Sequence, residues 1–151
     1  VVSTISYGCC LHAGGQYLEG AGSLLQAHRD GSISVSVGNT EMGQGATTVL
    51  SQIAADGLGV DYARVRLKTV DTDLVPDSGP TVASRTTTMS GQAIRDACRQ
   101  MVEELTPVAR RLLGVRGKVE VAGDVVRPAT GGRKKVKWDD LIAAAYARRR
   151  S

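Results

Sequence analysis

Apolar and polar residues change their spacing several times along the chain, and each change marks an element. Val1 to His12 alternates weakly and is apolar enough for a strand, which Gly14-Gly15 breaks. Leu24–His28, Asp30-Gly31 and Ile33–Val37 then read as strand, tight turn and strand, because Asp-Gly favours the positive φ that a two-residue hairpin turn needs. Ile33, Val35 and Val37 point one way and Ser32, Ser34 and Ser36 the other, which predicts one buried and one polar face. From Ala46 the spacing becomes helical: Val49, Leu50, Ile53, Ala54 and Leu58 predict a helix over Ala46–Asp56, ended by Gly57 or Gly59. Asp61–Arg64 is a short connection. Val65, Leu67 and Thr69 alternate with Arg66 and Lys68 and predict a strand to Val70. Strand, helix and strand in this order predict a β-α-β unit with a right-handed crossover.

Thr72–Gln92 has no period, and a helical stripe comes after it through Ala93, Ile94, Ala97, Cys98, Met101, Val102 and Leu105. Thr106-Pro107 resembles the cap and first residue of a new or kinked segment that runs to Leu113 and stops at Gly114. Val119–Val121 and Val125-Val126 flank Gly123-Asp124 as a second hairpin. Gly131–Lys135 is a basic loop, and Val136–Trp138 a short strand. Asp139 or Asp140 starts a last helix, Leu141–Ala147, whose closing arginines suit its negative end. The pattern predicts an α+β fold, a mixed β-sheet with β-α-β units and helices packed on it, over a single domain, residues 1–151.

Composition changes this picture in three places. A chain of 151 residues at 42% hydrophobic can bury a sizeable core, but with 3% aromatics and no Phe that core is Val, Leu, Ile, Ala and Met. The net charge of +4 gathers in Arg133–Lys137 and Arg148–Arg150. Aromatic interleaving and a recognisable nucleic-acid module are missing, so these clusters read as a solvated loop and a helix end, or as a face toward a neighbouring domain, and nucleic acid is not an expected partner. Three cysteines, two of them adjacent, make no extracellular disulfide framework, which points to a reducing cytoplasm. No apolar run is long enough to span a membrane and no signal peptide is visible. Cys9-Cys10 and His12 form no metal-ligand set by themselves, and Cys98 in its stripe reads as a small buried hydrophobe. The GxSxG and GxxxxGK[ST] patterns do not occur, which excludes the ordinary serine-nucleophile and triphosphate-loop classes. No metal ligand is expected from the chain.

The candidate chemistry lies in two stretches of the same form. Gly38–Gly45 (GNTEMGQG) and Thr72–Gln92 (TDLVPDSGPTVASRTTTMSGQ) each lead from a strand end into a helix start. Backbone N–H groups and the helix dipole favour an anion at such a place, so two of them side by side would cradle something polar and anionic. Gly43 and Gly45 remove side chains on both sides of Gln44, which lets backbone approach a ligand and leaves one amide projecting. Pro76 and Pro80 stiffen the longer stretch, and Thr81, Ser84 and Thr86 can turn hydroxyls toward one ligand.

EMGQG (Glu41–Gly45) and DTDLVPDSGPTVASRTTTMSGQA (Asp71–Ala93) together resemble the molybdenum-cofactor-binding subunit of the xanthine dehydrogenase/aldehyde oxidase family. The likeness covers about Gly31 to Leu113 and continues more weakly to Tyr146. Family subunits are several times longer, so the chain reads as one domain-sized piece of such a subunit. The resemblance implies a molybdopterin-binding fold and the molybdenum cofactor, as molybdopterin or its cytosine dinucleotide form. It puts Gly43, Gln44 and Gly45 in the cofactor pocket, and Thr81, Ala83, Ser84 and Thr86 along the pyranopterin and the metal centre, with Ala83 leaving room for a substrate ring. Arg85 departs from relatives with a small residue there, and reads either as a solvated arginine or as a contact to a nucleotide extension or an adjacent subunit.

The activity so implied is hydroxylation of an N-heterocycle, or oxidation of an aldehyde, with oxygen from water and electrons passed to iron–sulfur clusters and FAD on other domains or subunits. The expected partners are those domains or subunits and a small-molecule substrate. The family's glutamate base belongs to a later motif that this chain lacks. Glu41 does not fill that role, so no catalytic residue is assigned here and the chain alone is expected to be inactive. The competing reading is a non-catalytic binding or interaction module that keeps the fold without the cofactor.

Overall fold

The computed structural model of the chain describes residues 2–6, 20–68 and 70–148, with side chains from Gly20 onward. Cys9-Cys10, His12, Gly14-Gly15, Thr69 and the last two arginines lie outside the described residues. The larger sheet holds β1 (Val2–Ser6), β2 (Gly20–Ala27), β3 (Ile33–Ser36) and β4 (Val65–Leu67), side by side in that order. β2 and β3 form the expected hairpin, with Leu25 opposite Val35 and Ala27 opposite Ile33. β4 runs parallel to β3, Ile33 beside Val65 and Val35 beside Leu67. Between them lies α1 (Ala46–Leu58), which completes the β-α-β unit. Because the pairing is parallel, the C-terminal ends of β3 and β4 lie at one edge of the sheet, and the loops leaving them are neighbours.

β3 departs from the expectation of one polar face. Ser34 and Ser36 are buried together with Ile33 and Val35, because β3 is an interior strand. His28 satisfies the Ser34 hydroxyl at 2.6 Å between Nε2 and Oγ, which makes that burial tolerable.

The larger correction concerns α2, which spans Arg85–Leu113, 29 residues without a break. Residues 85–92, expected as loop, form its first two turns. The reason is packing: Met89 and Ala93 bury against Ala21, and Gly91 sits close enough to α1 that a Cβ there would lie 2.9 Å from Ile53 Cδ1. Tertiary contact overrides the weak helix propensity of the Thr, Ser and Gly residues in this stretch. α2 also passes through Pro107. Thr106 does not cap a new segment; its Oγ1 donates to Val102 O at 2.7 Å, one turn back. The helix stops at Gly114 as expected, in the left-handed conformation.

α1 and α2 pack in parallel, since Ile53 meets Gly91 and Gly57 meets Cys98 in rising order along both. Their N-termini therefore stand together, above the shared edge of β3 and β4. The second hairpin is present as β5 (Val119–Ala122) and β6 (Val125–Pro128), joined by β7 (Val136–Lys137) in a small antiparallel sheet. Trp138 opens α3 (Trp138–Ala147) where a strand was expected. Its indole is fully buried and donates to Gly31 O at 2.9 Å, while Tyr146 donates to Ala27 O at 2.8 Å. Arg64, in a short 3-10 turn before β4, bridges Asp124 at 2.8 Å and Asp139 at 2.5 Å. One apolar cluster runs from Leu25, Val35 and Leu50 through Ile94 and Met101 to Val126 and Leu141.

Candidate functional site

The two loops meet above the helix starts, and three consecutive residues of the first are tied to the second. Gly38 N–H donates to Ser78 Oγ at 2.9 Å. The buried Ser90 hydroxyl, in the second turn of α2, donates to Asn39 Oδ1. Thr40 N–H donates to Thr81 Oγ1 at 2.9 Å. Ser78 goes further and donates to Gly22 O at 3.0 Å, while Gly22 N–H donates to Asp77 O at 2.9 Å. β2, the end of β3 and the 76–81 loop are therefore stitched together by backbone groups and short hydroxyls.

Between the loops opens a cavity of about 400 Å³. Gln44 and Met42 line it from the first loop; Thr81, Ala83, Ser84, Thr86 and Thr87 line it from the second loop and the start of α2. Five of the seven residues singled out in the sequence thus share one wall. Gly43 and Gly45, on either side of Gln44, do not line it. Both have positive φ, 98° and 79°, which only glycine adopts without strain, so the turn itself requires them.

Gln44 does not project freely, as the sequence suggested. Its Oε1 accepts from Met42 N–H at 2.6 Å and its Nε2 donates to Thr40 O at 2.8 Å. The amide closes its own loop while still bordering the cavity.

The two helix mouths also differ, contrary to the expectation of two anion-favouring turns. Glu41 fills the first: its carboxylate accepts from Thr47 N–H at 2.8 Å, Gly45 N–H at 3.0 Å and Gly43 N–H at 2.9 Å. These bonds, that to Thr47 the strongest, hold its pKa down at about 2. Ser84, the N-cap of α2, makes no side-chain capping bond, and no acidic residue lies in the first turn. The α2 mouth is the one that presents its N–H groups and dipole to the cavity.

Ala83 and Ser84 carry φ of 50° and 58°, two successive left-handed residues with side chains. Such strain persists only where the surroundings impose it, and it concentrates at functional sites. Arg85 comes next, at the first helical position. It is neither solvated nor turned outward, as its sequence context implied, but 4% exposed. Its Nη1 donates to Ser78 O at 2.6 Å and Pro80 O at 3.0 Å, and its Nη2 to Gly20 O at 2.7 Å.

Comparison with known proteins agrees with this architecture. All of the chain, residues 1–151, matches the model of the family described as molybdopterin cofactor-binding domain. The chain belongs to that family. The domain is 35% identical over 130 residues to xanthine dehydrogenase/oxidase of Felis catus, covering 86% of this chain and 8% of that protein. Among solved structures it is similar to quinoline 2-oxidoreductase from Pseudomonas putida 86, with a TM-score of 0.78, 25% identity, and coverage of 87% of this chain and 17% of the other. It is also similar to CO dehydrogenase from Oligotropha carboxidovorans, with a TM-score of 0.73, 28% identity, and coverage of 82% and 15%. The chain spans about 7–8% of the length of the curated relatives it matches.

The residues present fit a polar, anionic cofactor at the cavity. An uncapped helix mouth suits an anionic group, and Ser84, Thr86 and Thr87 add hydroxyls beside it. Among the described residues no group of three His, Cys, Asp or Glu could hold a bare metal ion, and no helix of the domain is long and apolar enough to cross a membrane. Sequence reasoning missed Thr87 on the wall, Ser78 and Asn39 as ties, and Glu41 as the filling of the first mouth. For Glu41 a signal existed, an acid a few residues before a helix start; for the ties there was none.

Proposed function

We propose that this domain supplies the cofactor cradle of a molybdenum hydroxylase of the xanthine dehydrogenase/aldehyde oxidase type, acting on an N-heterocycle or an aldehyde. One observation carries the reading: both loops converge on a single cavity at the open mouth of α2. Gln44, Thr81, Ala83, Ser84 and Thr86 are the proposed cofactor contacts. The cofactor when bound supplies the redox chemistry. The residues of the chain orient it: the N–H groups at Thr86 and Thr87 attract its anionic part, the hydroxyls fix its rotation, and Ala83 leaves space where a substrate ring could lie. Among the described residues no carboxylate or histidine lines the wall, and with the family's glutamate base expected on a later motif, the chain alone is expected to be inert. Met42 and Val82 border the same cavity with 68% and 50% of their surface exposed. Exposed apolar residues at the rim suit a covering surface from the remaining domains, with iron–sulfur and flavin groups on those or on other subunits.

The test uses the chain coexpressed with the rest of a molybdenum-binding subunit. Thr86→Val should leave the melting temperature nearly unchanged and lower molybdenum content; Gln44→Ala, which also removes the exposed bonds to Met42 N–H and Thr40 O, should lower molybdenum content with a small fall in melting temperature. Each lost bond to a buried polar partner costs on the order of 1–3 kcal/mol, roughly a five- to hundred-fold effect on binding. Full molybdenum content in both variants would contradict the reading.

A further inference from the structure

Arg85 is a buried cation that the cradle's chemistry does not use. Among the described residues its three hydrogen bonds go to main-chain carbonyls, of Ser78, Pro80 and Gly20, which belong to the second loop and to the start of β2. No carboxylate among the described residues shares these bonds. Arg85 also occupies the first position of α2, where the helix dipole disfavours a positive charge. A buried cation placed against the helix dipole needs a compensating geometric role, and the surroundings indicate one. Just before it the chain makes the left-handed step Ala83–Ser84, which opens the α2 mouth. On the far side lies Gly79, also at positive φ, where a Cβ would stand 2.9 Å from Arg85 Nη1, so the loop is fitted around the guanidinium.

We infer that Arg85 is the positioning residue of the cradle: its planar fork clamps the 78–80 loop onto β2, and so holds the Ala83–Ser84 step and the open α2 mouth in place before any ligand arrives. It need not touch the cofactor. The guanidinium suits this task because its donors are fixed in one plane and reach several carbonyls at once, which an ammonium group does not reproduce. The inference rests on the cavity being the cofactor cradle, but the clamp itself is a property of the chain and can be measured without cofactor.

The experiment is amide hydrogen exchange on the 151-residue chain, wild type beside Arg85→Lys and Arg85→Gln. The reporters are the cradle amides Gly22, Gly38 and Thr40, whose partners are Asp77 O, Ser78 Oγ and Thr81 Oγ1. Amides at Ala97 and Met101, deep in α2, report the fold as a whole. Both variants should lose protection at the cradle by about tenfold or more, Arg85→Gln the more strongly, with less than about twofold change at Ala97 and Met101. Four results would overturn the inference: equal loss at both sets, no loss at either, Arg85→Lys behaving as wild type, or failure of both variants to fold. Molybdenum content of the same variants, coexpressed with the rest of a molybdenum-binding subunit, separates the clamp from the cradle reading. Loosened cradle amides with undiminished molybdenum would leave the clamp standing and count against the cofactor site.

Discussion

Replacing Ser78 by alanine removes one oxygen that serves two chain segments. The residue is 1% exposed, its Oγ accepts from Gly38 N–H at 2.9 Å, and it donates to Gly22 O at 3.0 Å. Both partners belong to the larger sheet or its immediate continuation, so neither can move far to find water. A buried group left unpaired costs about 1–3 kcal/mol, and with two such groups and some relief from water we expect a loss of about 2–4 kcal/mol. The assay is equilibrium urea unfolding. With a slope near about 2 kcal/mol/M for a chain of this size, the midpoint should fall by about 1–2 M at unchanged slope. Ser32→Ala is the control: its hydroxyl bonds the neighbouring Asp30 in an exposed turn, and the change should stay within about 0.5 kcal/mol. A Ser78→Ala midpoint within about 0.3 M of wild type would refute the claim that this hydroxyl stitches the loops together.

Other residues give independent checks. Glu41 has its pKa lowered to about 2 from an ordinary 4.5, so its stabilising contribution is fully present above about pH 4.5 and is lost as pH falls toward 2. Urea midpoints of wild type and Glu41→Gln should therefore differ at about pH 6 and converge by about pH 2; a constant difference would contradict the carboxylate's role at the α1 mouth. Burial pushes the Cys98 thiol up to about 12, so a thiol reagent at about pH 8 should label it only after unfolding, and rapid labelling of the folded chain at this residue, located by peptide mapping, would show the helix contact to be open. Trp138→Phe strands the Gly31 carbonyl and should lower stability by about 1–3 kcal/mol beyond the loss of ring area. Urea midpoints against a Trp138→Tyr variant check that value.

Much of the fold was legible because its strands and helices carry clean periods. The Asp30-Gly31 hairpin, the α1 stripe and the β-α-β order come from alternation and spacing alone, and the parallel pairing of β3 and β4 then brings the two loops together. The start of α2 was not legible. Its first turns are written in Thr, Ser and Gly, and what makes them helical is Met89 against Ala21 and Gly91 against Ile53, contacts between segments distant in sequence. The candidate site shows the same division. Gln44, Thr81, Ala83, Ser84 and Thr86 were marked by the Gly-rich and hydroxyl-rich pattern of their loops and do share a cavity wall. Arg85 carried no mark of burial, because its partners are carbonyls and any residue type supplies a carbonyl. Ser78 is one serine among many until the fold brings Gly22 and Gly38 to it.

The most direct measurement of the central claim is the position of molybdenum itself, located by anomalous X-ray scattering in crystals of the chain assembled with the rest of a molybdenum-binding subunit. A single molybdenum peak should face the cavity wall formed by Gln44, Thr81 and Ala83, with the anionic part of the cofactor toward the N–H groups of Thr86 and Thr87. A molybdenum peak bound wholly by other domains, with this cavity filled by solvent or protein, would contradict the claim.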